Sequence, residues 1–227
     1  MSCFVKIATM GVYLETNYLP NTSYFSQIIK HENVWIEACE HYQKQSYRNR
    51  CYILTSQGKD ALICPVEHSQ NKMPIQDVKL QSGYDWQKKH WRSIETAYRK
   101  APYFEYFADY FEKIYAKKNT FLFDFNQELL SICLKLLQVK PNIQLTTAFE
   151  KEVPFGHFDM RGKIHPKKTI QNVQTAYRQN FGNEFVPDLS IIDLLMCQGT
   201  RANQVLSANS KIVELVSSGI VDSEIVK

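Results

Sequence analysis

The sequence has little glycine and little proline, with eight of each in 227 residues. A large all-β barrel needs many tight turns, which favour these two residues, so the composition argues against such a barrel. No run of about 18 apolar residues occurs, and we therefore expect no membrane-spanning helix. The N-terminal segment has neither a basic flank nor a small-residue cleavage site, so no signal peptide is expected.

The sequence also has little excess charge. There are 27 Lys and Arg against 23 Asp and Glu, a net charge of +4, and no block of five like charges. Proteins that bind nucleic acid usually have a strong basic stripe, so no nucleic-acid partner is expected. The six cysteines are widely spaced without a Cys-x-x-Cys pair. This usage favours reduced structural thiols in a cytoplasmic protein over a disulfide framework.

Several enzyme signatures are missing. The sequence contains no G-x-S-x-G, no P-loop and no G-x-G-x-x-G. These absences remove the usual signatures of α/β-hydrolases, nucleoside triphosphatases and dinucleotide-binding enzymes. No cofactor is expected.

One group of polar residues lies in the segment 157–168. A metal site there would use His157, Asp159 and His165, but their spacing fits no standard ligand pattern, so no metal is expected. Cationic side chains are frequent in the same segment. We therefore favour an anion-binding loop built from Arg161, His165 and Lys167.

The first 80 residues have the pattern of strands and loops, because apolar runs there are rich in β-branched and aromatic residues. The predicted elements are a strand at 5–14, a helix at 24–30, a strand at 34–38, a hairpin of 51–55 and 61–66, and a short strand at 78–80.

The middle of the chain has helical periodicity. Trp86, His90, Ile94 and Ala97 recur at steps of four, four and three, which is one face of a helix over 85–99. A further helix is predicted at 103–116, and the next starts at a capping pair of Asp124 and Gln127 and ends before Pro141. Nearer the C-terminus, a helix is predicted from Ser190 through Cys197, closed by Gly199, and a short helix follows at 200–206.

The weakest pattern lies in residues 142–185, which we predict as loops with room for one short helix. The predicted fold is α/β or α+β, with a small N-terminal mixed sheet packed by helices from the middle and C-terminal parts of the chain. No Pro/Gly/Ser-rich linker divides the sequence, so we expect a single domain over 1–206. Residues 207–227 are expected to be a tail, either helical or frayed.

The densest polar segment is 42–50, directly before the predicted hairpin. Arg48 and Arg50 flank Asn49, and two guanidinium groups can bind a phosphate or carboxylate bidentately while the amide fixes its orientation. The alternative is a solvated loop. Tyr18 and Tyr47 are candidate substrate-binding residues, and Tyr18 could equally be a core residue.

His90 is the candidate general base. A histidine on an apolar helix face is more often a satisfied core residue. The neighbouring cations Lys88, Lys89 and Arg92 would lower its pKa and keep it neutral, as a base requires, although they could also be a solvated helix surface. Arg92 is included among the candidate substrate-binding residues.

Several segments together resemble the WbqC-like family of bacterial proteins, most closely its shorter branch in Bacteroidetes. The resemblance covers residues 5–206. The matching segments are Tyr18-Leu19-Pro20, Tyr24-Phe25, the run from Gln45 to Arg50, the hairpin ending in Pro65-Val66, the run from His90 to Tyr98, Pro102-Tyr103-Phe104, Phe125-Asn126, Asp159-x-Arg161, the run from Ile164 to Lys167, the run from Leu189 to Leu195, and Gly199.

This resemblance implies a role in surface polysaccharide (O-antigen) biosynthesis and a glycyl or aminoacyl transferase reaction. The first functional hypothesis is therefore a group transferase that acts on a sugar or amino-sugar precursor. His90 would be the general base. Arg48, Arg50 and Arg161 would hold an anionic donor, while Asn49 and Tyr18 would orient the acceptor.

The second hypothesis is a non-catalytic module that binds a small molecule or a protein. Tyr103, Phe104, Phe107 and Phe111 would then form an exposed aromatic patch for a partner, and a homodimer is one such partner.

Overall fold

The computed structural model describes residues 10–67, 72–82, 85–167 and 174–217. The strands are β1 (Gly11–Glu15), β2 (Asn33–Glu37), β3 (Arg50–Thr55), β4 (Gly58–Ile63), β5 (Asn142–Leu145) and β6 (Phe158–Asp159). The helices are α1 (Thr22–Lys30), α2 (Trp86–Tyr98), α3 (Phe104–Ala116), α4 (Leu122–Leu137), α5 (Ile191–Gln198) and α6 (Ala202–Ser217), with short 3-10 helices at Ile75–Asp77 and Gly199–Arg201.

The larger sheet has four parallel strands in the order β5-β2-β1-β6. If the strands of this sheet alone are numbered along the chain, their order across the sheet is 3-2-1-4. A doubly wound dinucleotide-binding sheet has the same order in its first four strands. Helix α1 connects β1 to its parallel neighbour β2. The predicted class, α/β or α+β, is therefore confirmed as α/β. The predicted N-terminal mixed sheet is corrected, because the larger sheet is entirely parallel and takes two of its strands from residues 142–159.

The two faces of this sheet have different environments. Val12, Leu14, Val34 and Ile36 point into the core and are fully buried, as alternation along a strand requires. The opposite face has Tyr13 in register with Trp35, and their rings stack with centroids 5.1 Å apart. This second face is only half-buried at both aromatic residues.

The predicted hairpin is confirmed as β3 and β4, but it forms a sheet of its own. Its second strand is Gly58–Ile63, three residues earlier than the sequence indicated. The short strand predicted at 78–80 is reduced to isolated bridges, Val66 with Leu80 and Lys79 with Phe121. Of the strand predicted at 5–14, the residues before Met10 lie outside the described chain.

The prediction of loops over 142–185 is wrong in part, because this region supplies β5 and β6. Their signals are weak for a physical reason. β5 is an edge strand of four residues with a largely exposed surface, and β6 has only two residues. Neither offers enough apolar alternation to be seen in the sequence.

The helices of the middle region agree closely with the predicted ones, except at the start of α4. The proposed capping pair of Asp124 and Gln127 is wrong, because the N-cap residue is Phe121, which makes no side-chain cap. Asp124 instead lies in the first turn, where a carboxylate is favoured by the helix dipole.

Helix α5 begins and ends as the sequence predicted. The hydroxyl of Ser190 accepts a hydrogen bond from the backbone N–H of Ile192, and Gly199 ends the helix with a φ of 55°. A β-carbon at Gly199 would overlap the ring of Tyr103, so the glycine allows both the backbone turn and the packing of that ring.

Helix α6 is longer than the predicted helix at 200–206. It continues to Ser217 as one helix across the expected end of the domain at residue 206, and the rest of the tail lies outside the described residues. The proposed division at 206 stays a prediction. Within the described part of the chain, no helix is both long and apolar enough to cross a membrane.

The cysteines in the described residues are all free thiols. Four of them are buried: Cys51, Cys64, Cys133 and Cys197. Cys39 is half-buried, and Cys3 lies outside the described chain.

Candidate functional site

The carboxyl ends of the four parallel strands meet at one edge of the larger sheet. Open α/β sheets bind ligands at this edge, next to the position where the strand order reverses. In this chain the reversal lies between β1 and β6. Glu15 ends β1, Glu37 ends β2, and Asp159 ends β6, so a carboxylate stands at the end of each of the three strands around that position.

Arg161 joins two of these carboxylates. Its Nη1 donates to Oε2 of Glu37 at 2.7 Å, while Nε and Nη2 donate to the two oxygens of Asp159 at 3.0 and 2.9 Å. The other oxygen of Glu37 accepts from the hydroxyl of Thr146 and from the backbone N–H of Cys39. Glu37 is fully buried, so this network fixes its carboxylate firmly.

A second ion pair lies deeper, between Arg48 and Glu40. Nε and Nη2 of Arg48 donate to the two carboxylate oxygens at 2.7 and 2.5 Å, and both side chains are almost entirely buried. Glu15 lies within electrostatic reach of this pair and accepts a hydrogen bond from the backbone N–H of Gly162. Gly162 has a φ of 65°, which favours glycine.

We call these six residues the buried charge cluster: Glu15, Glu37, Glu40, Arg48, Asp159 and Arg161. Burial raises the pKa of Glu15 and of Glu40, and in both cases the nearby Arg48 opposes the rise without cancelling it. Burial also acts on Asp159, but the hydrogen bonds from Arg161 outweigh it and hold the pKa of Asp159 below its usual range. The cluster has more carboxylates than guanidiniums, so it suits a proton or a cationic group better than a further anion.

A cleft of about 260 Å³ opens beside the cluster, on the half-buried face of the sheet. Its wall includes Tyr13, Trp35, Thr146, Glu150 and Arg161. We call it the sheet-face cleft. It combines aromatic surface with hydroxyl, carboxylate and guanidinium groups, which is the usual composition of a site for a small polar molecule.

Arg161 also holds the loop that borders this cleft. Its guanidinium lies 5.8 Å from the ring centroid of Tyr13 and 5.2 Å from that of Phe149. Nη2 donates to the backbone carbonyl of Glu150 at 2.9 Å. The side chain of Glu150 itself is exposed, so its carboxylate stays open to a ligand.

His90 lies in the interior, in a chain of hydrogen bonds. The hydroxyl of Tyr18 bonds Nδ1 of His90 at 2.8 Å and also makes a very short contact with the hydroxyl of Tyr115. Burial lowers the pKa of His90 to about 4, and a hydrogen bond to the backbone of Ile63 opposes this shift. The imidazole is therefore neutral at pH 7. It is 8% exposed and forms part of the wall of neither the sheet-face cleft nor the larger cleft beside Trp86.

Two further predicted residues lie near Tyr18 and His90. The backbone N–H of Tyr18 donates to the carbonyl of Tyr47 at 2.9 Å. Asn49 donates through Nδ2 to the carbonyl of Cys64, the residue after Ile63. The structure thus brings Tyr18, Tyr47, Asn49 and His90 together in the core, while Arg48, Asp159 and Arg161 belong to the buried charge cluster.

The other predicted residues lie elsewhere. Arg50 begins β3, and its Nε is buried without a hydrogen-bond partner among the described residues. Arg92 is exposed, in a cleft that also includes Asp60. Nδ1 of His165 accepts from the backbone N–H of Lys167, whose side chain is exposed.

The segment around His157 has a structural role. Nδ1 of His157 accepts from the backbone N–H of Gly11 at 3.1 Å, and its ring packs edge-on against Trp35. Within the described residues, no group of three His, Cys, Asp or Glu side chains could hold a metal ion.

The sequence analysis missed the carboxylates Glu15, Glu37 and Glu40 and the aromatic pair of Tyr13 and Trp35. A usable signal did exist for two of them. Glu15 and Glu37 each end a short apolar strand, and polar side chains at strand ends are candidates for a ligand site. The loop residue Glu150 had no such signal.

Comparison with known proteins identifies the family. The model of the WbqC-like protein family matches residues 16–154 and 163–205, so the chain belongs to this family. The uncharacterized protein Rv1507c of Mycobacterium tuberculosis is 31% identical over 145 residues, which cover 63% of this chain and 62% of that protein. The chain thus matches somewhat less than two thirds of this relative's length. No solved structure shows a significant match.

Proposed function

We propose that this protein is a group transferase of bacterial surface polysaccharide biosynthesis, with the acceptor bound in the sheet-face cleft. The acceptor would be a sugar or amino-sugar precursor, and the transferred group would be glycyl or a related aminoacyl group. We also propose that the protein belongs to the shorter branch of the WbqC-like family in Bacteroidetes. The reaction class rests on the resemblance to the family, while the position of the site rests on the geometry.

The observation that carries the proposal is the stacked pair of Tyr13 and Trp35 beside the Glu37–Arg161 ion pair at the carboxyl ends of parallel strands. Aromatic faces can contact the C–H groups of a sugar, and the hydroxyl of Thr146 together with the carboxylate of Glu150 can bond its polar groups. The excess of carboxylates in the buried charge cluster favours an acceptor that carries an amine.

The same charge balance revises the expected role of the arginines. Arg48 and Arg161 are each bonded to carboxylates, so their charges are already compensated. A further anion placed on them would meet four nearby carboxylates. We therefore propose that these arginines position the cluster and the loop at Glu150, and that the anionic donor approaches from the open side of the cleft.

Transfer to an amine or hydroxyl needs a group that accepts its proton as the nucleophile attacks the acyl carbon and the leaving group departs with the bonding electrons. We assign this role to Glu150, because its exposed carboxylate lines the cleft. The earlier candidate, His90, is neutral as a base must be, but its ring is enclosed by the hydrogen bonds to Tyr18 and Ile63.

The proposal can be tested by a thermal-shift screen of the full chain against amino sugars, nucleotide sugars, amino acids and acyl carriers. A ligand at about 100 times its dissociation constant adds about 2.7 kcal/mol of stability. A stabilising amino sugar whose effect is lost in Tyr13→Ala supports the site. No stabilisation by any member of the panel contradicts the proposal.

Once a donor and an acceptor are found, the base is identified by rate measurements. Glu150→Gln should lower kcat by about 10²- to 10⁴-fold with little change in acceptor affinity. Glu152→Gln is the matched control, because Glu152 is an exposed carboxylate two residues away that does not line the cleft. If His90→Gln abolishes turnover and Glu150→Gln does not, the assignment to Glu150 is wrong.

A non-catalytic binding module is the second candidate. The exposed aromatic patch predicted for it is not formed, because Phe111 is fully buried and Tyr103, Phe104 and Phe107 are half-buried. On the same helix, however, Tyr106 is 71% exposed and Tyr110 is 37% exposed, which favours a contact surface there. A homodimer through this surface predicts that Tyr106→Ser shifts the protein to the monomer in size-exclusion chromatography.

A further inference from the structure

A separate cleft, of about 430 Å³, lies on the surface where the end of α2, the loop at 178–180 and the junction of α5 with α6 meet. Its wall contains Lys100, Arg178 and Arg201, together with Gln198 and Asn180. We call it the cationic cleft. No Asp or Glu is among the described residues of its wall.

The three cations are not neutralised by ion pairs within the described residues. In the part of the chain that the structure describes, none of the three forms an ion pair with a carboxylate, and all three side chains are exposed. Three like charges around one concave surface raise the local positive potential, because their individual potentials add, and this potential attracts anions from solution. This arrangement contrasts with the buried charge cluster, where each arginine is already bonded to a carboxylate.

The backbone that presents these cations is well fixed. Nδ2 of Asn180 donates to the carbonyl of Ala97 at 2.6 Å, which attaches the loop to the end of α2. Nε2 of Gln198 donates to the carbonyl of Arg178, and Gln179 bonds both the N–H and the carbonyl of Val186. A fixed backbone reduces the ordering cost of binding, so the cleft is suited to a specific ligand.

We propose that the cationic cleft binds the diphosphate group of a small molecule. Phosphate oxygens form strong charge-assisted hydrogen bonds with arginine, often two at a time, and lysine adds a point charge. The volume equals that of about fourteen water molecules at roughly 30 Å³ each, so the cleft can hold two linked phosphates and part of the group attached to them. This inference does not depend on the proposed transferase function, because it uses none of the residues of the sheet-face cleft.

The test is isothermal titration of the full chain with inorganic phosphate, pyrophosphate and uridine diphosphate at one low ionic strength. We expect saturable binding of pyrophosphate that is tighter than that of phosphate. The double variant Arg178→Gln/Arg201→Gln should weaken this binding by at least about tenfold, because it removes two charge-assisted contacts. Binding of uridine diphosphate tighter than pyrophosphate identifies a nucleotide as the source of the diphosphate, and equal binding identifies the diphosphate alone.

The matched control is Lys44→Gln/Lys113→Gln, which removes two exposed positive charges outside the cleft. It should change the dissociation constant by less than about twofold. An equal loss in this control, or no saturable binding of pyrophosphate by the natural chain at about 10 mM, overturns the proposal. If the arginine double variant does not fold, Lys100→Gln gives the same test with one charge.

Discussion

Arg48 and Glu40 form a two-point ion pair inside the protein, with Nε and Nη2 of the arginine bonded to the two oxygens of the glutamate. The arginine side chain is 2% exposed and the glutamate 5%. Asn126 further binds the backbone carbonyl of Arg48. This pair anchors the segment before β3 beneath the carboxyl edge of the larger sheet.

Removal of Glu40 should be strongly destabilising. Glu40→Ala leaves the charge of Arg48 buried without its partner, and such changes cost about 3–5 kcal/mol in the free energy of unfolding. Urea denaturation at pH 7 measures this loss. The double variant Arg48→Met/Glu40→Leu should recover most of it, because both charges are gone.

A surface pair gives the contrast for this experiment. Lys88 and Asp85 are both exposed, so Lys88→Gln should change the free energy of unfolding by less than about 1 kcal/mol. If Glu40→Ala lowers the free energy of unfolding no more than Lys88→Gln does, Glu40 is not the buried partner of Arg48.

His90 should make the stability depend on pH. Its folded pKa of about 4 lies below the usual 6.5, so the unfolded chain binds more protons between these values and stability falls as the pH falls. From about pH 8 to about pH 4.5 this group alone removes about 2–3 kcal/mol. His90→Gln should show a correspondingly smaller loss over that range, measured by urea denaturation. An unchanged pH dependence would show that the imidazole is not held neutral by burial.

Glu15 should act in the opposite direction. Burial raises its folded pKa above 4.5, so the folded chain binds more protons, and the contribution of Glu15 to stability is lost as the pH rises through the folded pKa. Glu15→Gln cannot ionise. Its stability relative to the natural chain should therefore increase from about pH 4 to about pH 7.

The exposed Glu105 is the control for Glu15. Glu105→Gln makes the same substitution at the surface rather than in the interior. A stability difference for Glu15→Gln that does not change with pH would mean that Glu15 is solvated in the folded chain.

Gly199 should tolerate no side chain. Gly199→Ala adds a β-carbon that overlaps the ring of Tyr103 at a φ of 55°, and the combined cost should be about 2–4 kcal/mol. Gly156→Ala is the matched control, because Gly156 has a φ of 88° but no atom within 4 Å of the added carbon. It should show the smaller cost of the backbone alone.

A double-mutant cycle isolates the contribution of the ring. In the background of Tyr103→Ala, Gly199→Ala should cost no more than Gly156→Ala does, since the overlapping ring is gone. If Gly199→Ala keeps its full cost in the Tyr103→Ala background, the destabilisation does not come from overlap with the ring of Tyr103.

The sequence was sufficient for elements that have a strong local pattern. The apolar face that contains Trp86, His90 and Ile94 predicted α2, and Ser190 and Gly199 predicted the two ends of α5. The side chains concerned lie within a few turns of one another, so the pattern that buries them is visible in the sequence. The interior position of His90 also follows from this pattern.

The sequence was insufficient where a contact joins distant segments. Strand β6 has two residues and exists only because Val12 and Tyr13 of β1 offer it a partner. The sequence predicted Arg161 as an anion-binding residue. Its hydrogen bond to Glu37, however, joins two residues that are 124 positions apart in the sequence. No local pattern can report such a pair.

The sequence by itself therefore determined the α/β class, most helices, the hairpin and the family, because periodicity, capping and turn residues act over short distances. The tertiary structure decided which polar residues share a site. It placed Arg48 and Arg161 against carboxylates, which compensates their charges, and it placed Lys100, Arg178 and Arg201 around one cleft without an ion pair to any described residue. The physical reason is that the free energy of a charge depends on its burial and its neighbours, and both are set by contacts between distant parts of the chain.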